Sequence, residues 1–259
     1  MMTAAGMGRS RGLPALGMVA AAFMLVLAFG SPARAATSPG FDDQASLFKI
    51  FWDCSSGPCP QNGSVADVAS PSEDGDALDI SYASGNQAYE GLDAYIPNLG
   101  TDASARRYQV NYDFYFPNQA PIQALEFCMN NYFGGKRYQW AMQWENIGTG
   151  APQWRIWGGA DSGVKWKAIG IPAANITAGT WYHLTIDGTI TVASDGSLQV
   201  HYLDFIIAGT THSLTQYTFP PDSSTGPGLV PAVQADGNST ATPYHVYIDN
   251  AHYYWSDTP

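Results

Sequence analysis

Two glutamates in one predicted hairpin give the chain its clearest opportunity for chemistry. Residues 125–146 alternate apolar and polar side chains on both sides of Gly134-Gly135, a pattern typical of a β-hairpin with a tight turn. If that glycine pair forms the turn, Glu126 and Glu145 occupy diagonal positions on one face of the hairpin. Diagonal neighbours lie about 7 Å apart at the backbone. Their side chains can therefore approach the roughly 5 to 5.5 Å carboxyl separation of retaining glycoside hydrolases.

The first functional hypothesis for this face is thus a catalytic carboxyl pair. One glutamate would be the nucleophile and the other the acid/base, whose pKa the partner's charge would raise. Amides, an arginine and an exposed aromatic ring suit sugar hydroxyls and the apolar face of a pyranose. The predicted ligand-binding residues are Asn130, Gln139, Gln143, Arg155 and Trp157. The alternative is that another layer of structure covers this face and satisfies its polar groups.

A lyase is a second possible activity. His183 or Tyr182 would act as the base, while Arg155 and Gln139 would stabilise the negative charge that develops on a uronate. The alternative for His183 is an ordinary strand residue at the surface. A polyuronate site also requires more cations than this chain offers, since it has 11 Lys and Arg residues against 22 Asp and Glu.

The N-terminus predicts export. Arg9 and Arg11 precede an apolar run over residues 18–29, and residues 33–35 (ARA) form a small-x-small cleavage site. The run is shorter than the roughly 20 residues needed to span a bilayer. We therefore expect residues 1–35 to be a cleaved signal peptide and the protein to be secreted, with no membrane association afterwards.

Charge and cysteine usage narrow the partners. Signal cleavage removes three arginines and no acid, which lowers the formal net charge of -11 by three. Such an acidic protein is poorly suited to nucleic acid, anionic lipid or a strongly anionic polysaccharide. In an oxidising compartment, Cys54 and Cys59 are predicted to form a disulfide, and Cys128 to remain a free thiol on a packed surface.

Turn residues separate about a dozen short β-patterned segments between residues 77 and 255, and no amphipathic helix or repeat is found. This pattern predicts an all-β fold, an antiparallel β-sandwich or jelly roll. Residues 36–75 are expected to hold a loose leader, a first strand over 46–52 and a disulfide loop. Residues 76–259 form the jelly roll, in one globular domain with 44–75.

Three motifs resemble the concanavalin A-like lectin/glucanase group of jelly rolls, which includes laminin-G-like domains. They are GTWYHLTIDG at 179–188, DGSLQV at 195–200 and YHVYIDN at 244–250. The resemblance implies this fold and a bias towards glycans, since the group contains lectins, carbohydrate-binding modules, glycoside hydrolases and polysaccharide lyases. The E-x-D-x-x-E strand of the glucanase members is absent, and the nearest text, QWEN at 143–146, does not match it.

Related jelly rolls often carry a structural calcium ion that joins an early segment to the last strand. The acidic run at 72–79 could supply such a site, with Asp76 as one ligand and Asp249 as a distant one. Solvated Asp-Gly turns are the ordinary alternative. No other cofactor is expected.

Three functional classes follow from the sequence. The leading one is a secreted carbohydrate-recognising β-sandwich protein that binds a polysaccharide or oligosaccharide. The second is an extracellular polysaccharide-degrading enzyme, for which a retaining glycoside hydrolase is preferred to a polysaccharide lyase. The third is a structural or adhesive surface protein.

Overall fold

The computed structural model of the chain describes residues 35–38, 40–42, 44–54, 62–83, 88–100, 104–146, 151–159, 163, 165–238 and 242–257. Residues 1–34 of the predicted signal peptide lie outside these ranges, and so does Cys59, the predicted disulfide partner of Cys54. Both features therefore stay predictions. No helix among the described residues is long and apolar enough to cross a membrane.

The described residues form sixteen strands and one 3-10 turn at Ala45–Leu47. The first eight strands are β1 (Ala35–Thr37), β2 (Lys49–Asp53), β3 (Gly63–Val68), β4 (Ala77–Ala83), β5 (Ala88–Tyr95), β6 (Arg107–Tyr115), β7 (Ile122–Phe133) and β8 (Lys136–Glu145). The other eight are β9 (Gln153–Trp157), β10 (Trp166–Pro172), β11 (Tyr182–Val192), β12 (Leu198–Ile207), β13 (Thr210–Ser213), β14 (Thr218–Phe219), β15 (Leu229–Asn238) and β16 (Pro243–Ser256).

The strands build two antiparallel sheets that enclose a single large apolar core. The nine-stranded sheet runs β13-β12-β11-β6-β16-β4-β3, with β1 added to β16 and β14 to β12. The seven-stranded sheet runs β10-β9-β8-β7-β15-β5-β2. Sequence neighbours such as β7 and β8 pair directly, whereas β15 inserts between β5 and β7 from far along the chain. The predicted all-β antiparallel sandwich is confirmed.

Two elements differ from the sequence-based expectation. β3 lies inside the segment 54–75 expected to be a loop, and it forms an edge strand whose Val65 lies opposite Ile80. Its Ser, Gly and Asp content is typical of a loop. An edge strand nevertheless tolerates polar residues, because one of its edges is exposed to water. The expected loose leader is also partly ordered. β1 pairs with β16, and the Asp42 carboxylate accepts hydrogen bonds from the backbone N–H of Asn250 and Ala251.

The faces of the hairpin β7–β8 are those that alternation predicts. Six of its apolar side chains point into the core and are fully buried: Leu125, Phe127, Met129, Trp140, Met142 and Trp144. The intervening polar residues therefore point away from the core, onto the outer face of the seven-stranded sheet.

Tyrosine hydroxyls tie the two sheets together across this core. The hydroxyl of Tyr112, on β6, donates to the Cys128 carbonyl at 2.9 Å and makes a longer contact of 3.5 Å with the Ala232 carbonyl. The hydroxyl of Tyr202, on β12, accepts the Ala141 N–H at 2.9 Å. Buried hydroxyls need such partners. These contacts fix the centre of the seven-stranded sheet from its inner side.

Replacing Tyr202 with Phe is expected to lower the free energy of unfolding by about 1–3 kcal/mol, because it removes a buried hydrogen-bond partner without changing the ring. Urea titration followed by tryptophan fluorescence measures the loss. Tyr254→Phe is the matched control, since Tyr254 lies half-buried on the outer face of the nine-stranded sheet, opposite Gln109. Equal stability of the two variants would contradict the expectation.

Candidate functional site

The register of the β7–β8 hairpin places Glu126 opposite Gln143, as the turn at Gly134-Gly135 predicts. The two glycines have φ values of +59° and +72°. Both angles lie in the left-handed region that glycine adopts at no steric cost, and tight hairpin turns of this kind require it. The turn therefore sets which polar side chains lie together on the outer face.

A groove with a volume of about 520 Å³ runs over the outer face of the seven-stranded sheet. Three residues of the hairpin's polar face line this groove: Glu126, Asn130 and Gln139. Gln143 and Glu145 of the same face are buried and do not line it. The principal lining residues come from seven strands and one loop. They are Phe51, Asp53, Asp93, Tyr95, Glu126, Cys128, Asn130, Tyr132, Arg137, Gln139, Trp157, Trp166, Thr225, Gly226, Pro227, Val230, Ala232 and Gln234.

Three small residues lie at the floor of the groove near its centre: Cys128 and Ala232 line it, and the fully buried Ala141 packs beside them. Cys128 lies opposite Ala141 on β8 and opposite Ala232 on β15. Half-buried aromatic side chains pack against this floor: Tyr95, Trp157 and Trp166. Tyr95 lies opposite Ala232 on the far strand, whereas the two indoles contact one another in a T-shaped pair. The floor is thus recessed between aromatic rims on both sides.

One end of the groove is closed by the loop before β15. A Cβ at Gly226 would lie 2.8 Å from atoms of the Tyr132 ring, so only glycine permits this approach. Arg137, on β8, donates two hydrogen bonds to one carboxylate oxygen of Asp222, at 2.9 and 2.6 Å. The loop is held to the sheet by this ion pair.

Carboxylates and amides form a row beside the floor. Glu126 lies opposite Gln234, which lies opposite Asp93 on the next strand. The Gln143 amide donates to Oε1 of Glu126 at 2.7 Å, and the Gln234 amide donates to Oδ1 of Asp236 at 2.9 Å. A third carboxyl, that of Asp236, thus lies next to this row.

Gly91 makes room for Asp236. The two residues are opposite one another on β5 and β15, and a Cβ at Gly91 would collide with Oδ1 of Asp236 and with the Gln234 amide. Asp236 is consequently almost fully buried, with 1% of its surface exposed.

Burial shifts the acidity of these carboxyls. It raises the pKa of Asp93 to about 7, and the charges of Asp53 and Asp236 add to the effect while that of Arg137 opposes it. Burial also raises the pKa of Asp236 to about 7, although the hydrogen bond from Gln234 lowers it. The pKa of Glu126 lies well above its ordinary value for the same first reason, with the charge of Asp236 contributing. A carboxyl with a pKa near 7 is present at neutral pH in both forms. Its protonated form can donate a proton, and its ionised form can accept one.

Four buried polar atoms of residues that line the groove have no hydrogen-bond partner in the described part of the chain. They are Oδ1 of Asp93, Oδ1 of Asn130, Oε1 of Gln139 and Nε1 of Trp157. Buried polar groups are normally paired. A bound molecule would supply the missing partners.

Four of the site residues predicted from the sequence line this groove: Glu126, Asn130, Gln139 and Trp157. Gln143 is buried behind Glu126 and orients it. Glu145 and Arg155 are not among the lining residues, although they lie on the same strands.

Glu145 is engaged elsewhere. Its Oε1 accepts a hydrogen bond from Arg155 Nη1 at 2.6 Å, and its Oε2 accepts one from the Gln153 amide at 2.6 Å. Glu145 therefore does not line the groove with Glu126, and the Glu126–Glu145 dyad stays a prediction. Side-chain partners on β9 hold Glu145, and the alternation of one hairpin cannot reveal them.

The lyase candidates lie on the other sheet. His183 is exposed on β11 of the nine-stranded sheet and contacts Asp113, while the Tyr182 ring packs against Phe114. The core separates both residues from the groove. The structure does not bring His183 together with Arg155 and Gln139.

The candidate calcium residues also have other partners. Both oxygens of Asp249 accept backbone hydrogen bonds, Oδ2 from Glu73 and Oδ1 from Asn250. Asp76 is exposed in the turn, where its N–H donates to Asp74. Among the described residues, no group of three His, Cys, Asp or Glu side chains is arranged to hold a metal ion. Calcium stays a prediction.

Sequence reasoning missed the contributions of β5 and β15: Asp93, Tyr95, Gln234 and Asp236. Alternation along these strands does mark them, since Leu92 and Ala94 are buried in the core between the outward residues of β5. What the sequence lacks is the information that β15 lies beside β7 and that β5 lies beside β15.

No family model matches the chain, and no curated protein matches it. Among solved structures it is similar to lectin I from Ulex europaeus in complex with the methyl glycoside of α-L-fucose, at 13% identity and a TM-score of 0.48, covering 87% of this chain and 98% of that chain. It is also similar to alginate lyase Aly36B, at 19% identity and a TM-score of 0.46, covering 70% and 81%. A third is alginate lyase vAL-1 from Chlorella virus, at 11% identity and a TM-score of 0.46, covering 80% and 93%. The two antiparallel sheets of this chain are the β-sandwich architecture expected from the sequence.

Replacing Asp236 with Asn is expected to reduce the pH dependence of stability between about pH 4 and pH 7, to which Asp93 and Glu126 also contribute. In the unfolded chain the Asp236 carboxyl ionises near 3.8, whereas the folded protein keeps it protonated up to about 7. The free energy of unfolding of the wild type therefore falls as pH rises through this window. A difference of one in pKa corresponds to about 1.4 kcal/mol. Urea titrations at a series of pH values measure the slope.

Asp195→Asn is the control for this experiment. Asp195 is exposed, and hydrogen bonds from Ser197 lower its pKa, so its removal leaves the fall between pH 4 and pH 7 in place. A slope unchanged by Asp236→Asn would show that Asp236 is ionised in the folded protein.

Proposed function

We propose that this chain is a secreted carbohydrate-recognising protein that binds an oligosaccharide or polysaccharide segment in the groove of the seven-stranded sheet. The observation that carries the proposal is the recessed floor of small residues between aromatic rims. A pyranose ring has apolar C–H faces that stack on aromatic side chains, and hydroxyls that bind planar amides and carboxylates. The groove offers both kinds of partner within one space.

The polar side chains are suitably held for this task. Glu126 is oriented by the Gln143 amide, and the Nδ2 group of Asn130 donates to the Val230 carbonyl at 3.0 Å, which fixes the orientation of that amide. Side chains fixed in this way lose little conformational entropy when a ligand binds. The groove is thus largely pre-formed.

Trp157→Ala is expected to weaken glycan binding at least about tenfold, because it removes one aromatic rim of the groove. Tyr95→Ala should act in the same direction from the opposite rim. Isothermal titration calorimetry against a panel of neutral, amino and uronic oligosaccharides measures both effects. Trp181→Ala is the control, since Trp181 packs against Tyr115 of the nine-stranded sheet.

Retention of full affinity in Trp157→Ala and Tyr95→Ala would contradict binding in this groove. If no member of the panel binds the wild-type protein, the structural or adhesive alternative takes its place.

A glycoside hydrolase is the second candidate, on one specific observation. Glu126 and Asp93 both line the groove and are two strands apart, with Gln234 between them. Two strand spacings amount to about 9.5 Å at the backbone. This distance suits the wider carboxyl separation of inverting enzymes, roughly 6.5–9.5 Å, in which one carboxyl protonates the leaving group and the other activates water. A lyase has less support, because His183 is on the other sheet and Arg155 is bound to Glu145.

If the protein hydrolyses a glycan, Glu126→Gln is expected to lower the rate of reducing-end release by a factor of about 10² or more, because it removes a general acid or base. Asp93→Asn should have an effect of similar size. Glu145→Gln provides the comparison, and it should reduce the rate far less than Glu126→Gln. A larger loss in Glu145→Gln would favour the predicted Glu126–Glu145 dyad.

A further inference from the structure

More carboxyl groups than cationic groups line the groove. Three carboxyl residues line it, Asp53, Asp93 and Glu126, against the single cation Arg137 among the described lining residues. The guanidinium of Arg137 is already engaged by Asp222 through two hydrogen bonds. Its positive charge is therefore compensated, and the groove presents a net excess of carboxyl groups to a ligand.

Nearby cations do not change this balance. Arg155 lies on the same sheet but is bound to Glu145 at 2.6 Å. Lys49 lies opposite Tyr95 on the edge strand β2, where it is exposed and outside the lining. The part of the chain that the structure describes thus offers a ligand carboxylate no free cation within the groove.

The unpaired hydrogen-bonding groups of the lining residues are mostly acceptors, which also favours a ligand that supplies donors. Oδ1 of Asp93, Oδ1 of Asn130 and Oε1 of Gln139 are acceptors without a partner among the described residues, whereas Nε1 of Trp157 is the unpaired donor. Asn130 is 5% exposed, and its Nδ2 is used by the Val230 carbonyl. An acceptor left unpaired at such a depth costs free energy. A ligand rich in N–H donors would recover it.

We propose that the groove recognises a glycan carrying free, protonated amino groups, with Asp93 and Glu126 receiving the ammonium groups. This inference rests on the proposed carbohydrate-binding function and names its ligand class. An ammonium group supplies three donors and no acceptor, which matches the unpaired groups of the groove. It also interacts favourably with the faces of Trp157 and Tyr95. A uronate, in contrast, brings acceptors to a site whose unpaired groups are mostly acceptors, and its negative charge would disfavour the ionised form of Asp93 and Glu126.

Three β-1,4-linked hexamers that share one backbone test this proposal: the glucosamine hexamer, its fully N-acetylated form and cellohexaose. At about pH 6 the amine is protonated, so the three ligands present an ammonium, an amide and a hydroxyl at the same ring position. We expect calorimetry at low salt to show the glucosamine hexamer binding at least about tenfold tighter than either of the others. An oligoguluronate of the same length should bind more weakly than cellohexaose.

Two variants, each with one carboxyl replaced by an amide, distinguish recognition in the groove from general attraction of a polycation to an acidic protein. Asp93→Asn is expected to reduce the preference for the glucosamine hexamer over cellohexaose by at least about fivefold while cellohexaose still binds. Asp195→Asn removes one exposed carboxylate away from the groove and should leave the preference intact. Equal loss in both variants overturns the proposal.

The outcomes also separate this inference from the proposed function. Equal affinity for the three hexamers, or tighter binding of cellohexaose, overturns the amino-sugar inference and leaves carbohydrate binding in place. Failure of every hexamer and of the oligoguluronate to bind contradicts the proposed function itself. Circular dichroism and thermal unfolding of Asp93→Asn establish that the variant is folded before its affinities are compared.

Discussion

Tyrosine hydroxyls of the nine-stranded sheet, bound to backbone atoms of the seven-stranded sheet, connect the core to the groove. Tyr112 and Tyr202 reach the strands that carry Cys128 and Ala141 from behind. A hydroxyl buried in an apolar core must find a partner, and so must the backbone group that it contacts. The same hydrogen bonds thus satisfy both requirements. They also fix the strands of the groove floor at a set distance from the opposite sheet, so the shape of the binding surface depends on core packing.

The chemistry of the groove follows from the burial of β7 on both faces. Residues 122–131 are all buried, whether they point into the core or away from it. Polar side chains at the outward positions, such as Glu126 and Asn130, therefore face a partly dehydrated space. In that environment a carboxyl favours its neutral form, and an amide oxygen without a partner favours a ligand that can donate. Low hydration accounts both for the raised pKa of Glu126 and for the selectivity proposed for the groove.

Local sequence patterns were sufficient for the hairpin and insufficient for the complete site. The glycine pair fixed the register of β7 with β8, and alternation identified Glu126 and Gln139 as outward residues. The missing wall comes from β15, which lies beside β7, and from β5, which lies beside β15. Both positions depend on contacts between distant parts of the chain. Alternation assigns a face to a residue but does not select its neighbours. For the same reason the sequence could not show that Arg155 holds Glu145.

The three small residues of the floor have an evolutionary consequence. Side chains at Cys128, Ala141 and Ala232 project away from the main core and form a separate small cluster with the aromatic rims. A larger side chain at Cys128 or Ala232, which line the groove and belong to a cluster separate from the main core, would make the groove shallower. Ligand range can therefore diverge among descendants of this chain faster than stability does. The sandwich core keeps the position of the groove, and substitutions in the floor change the groove with little loss of stability.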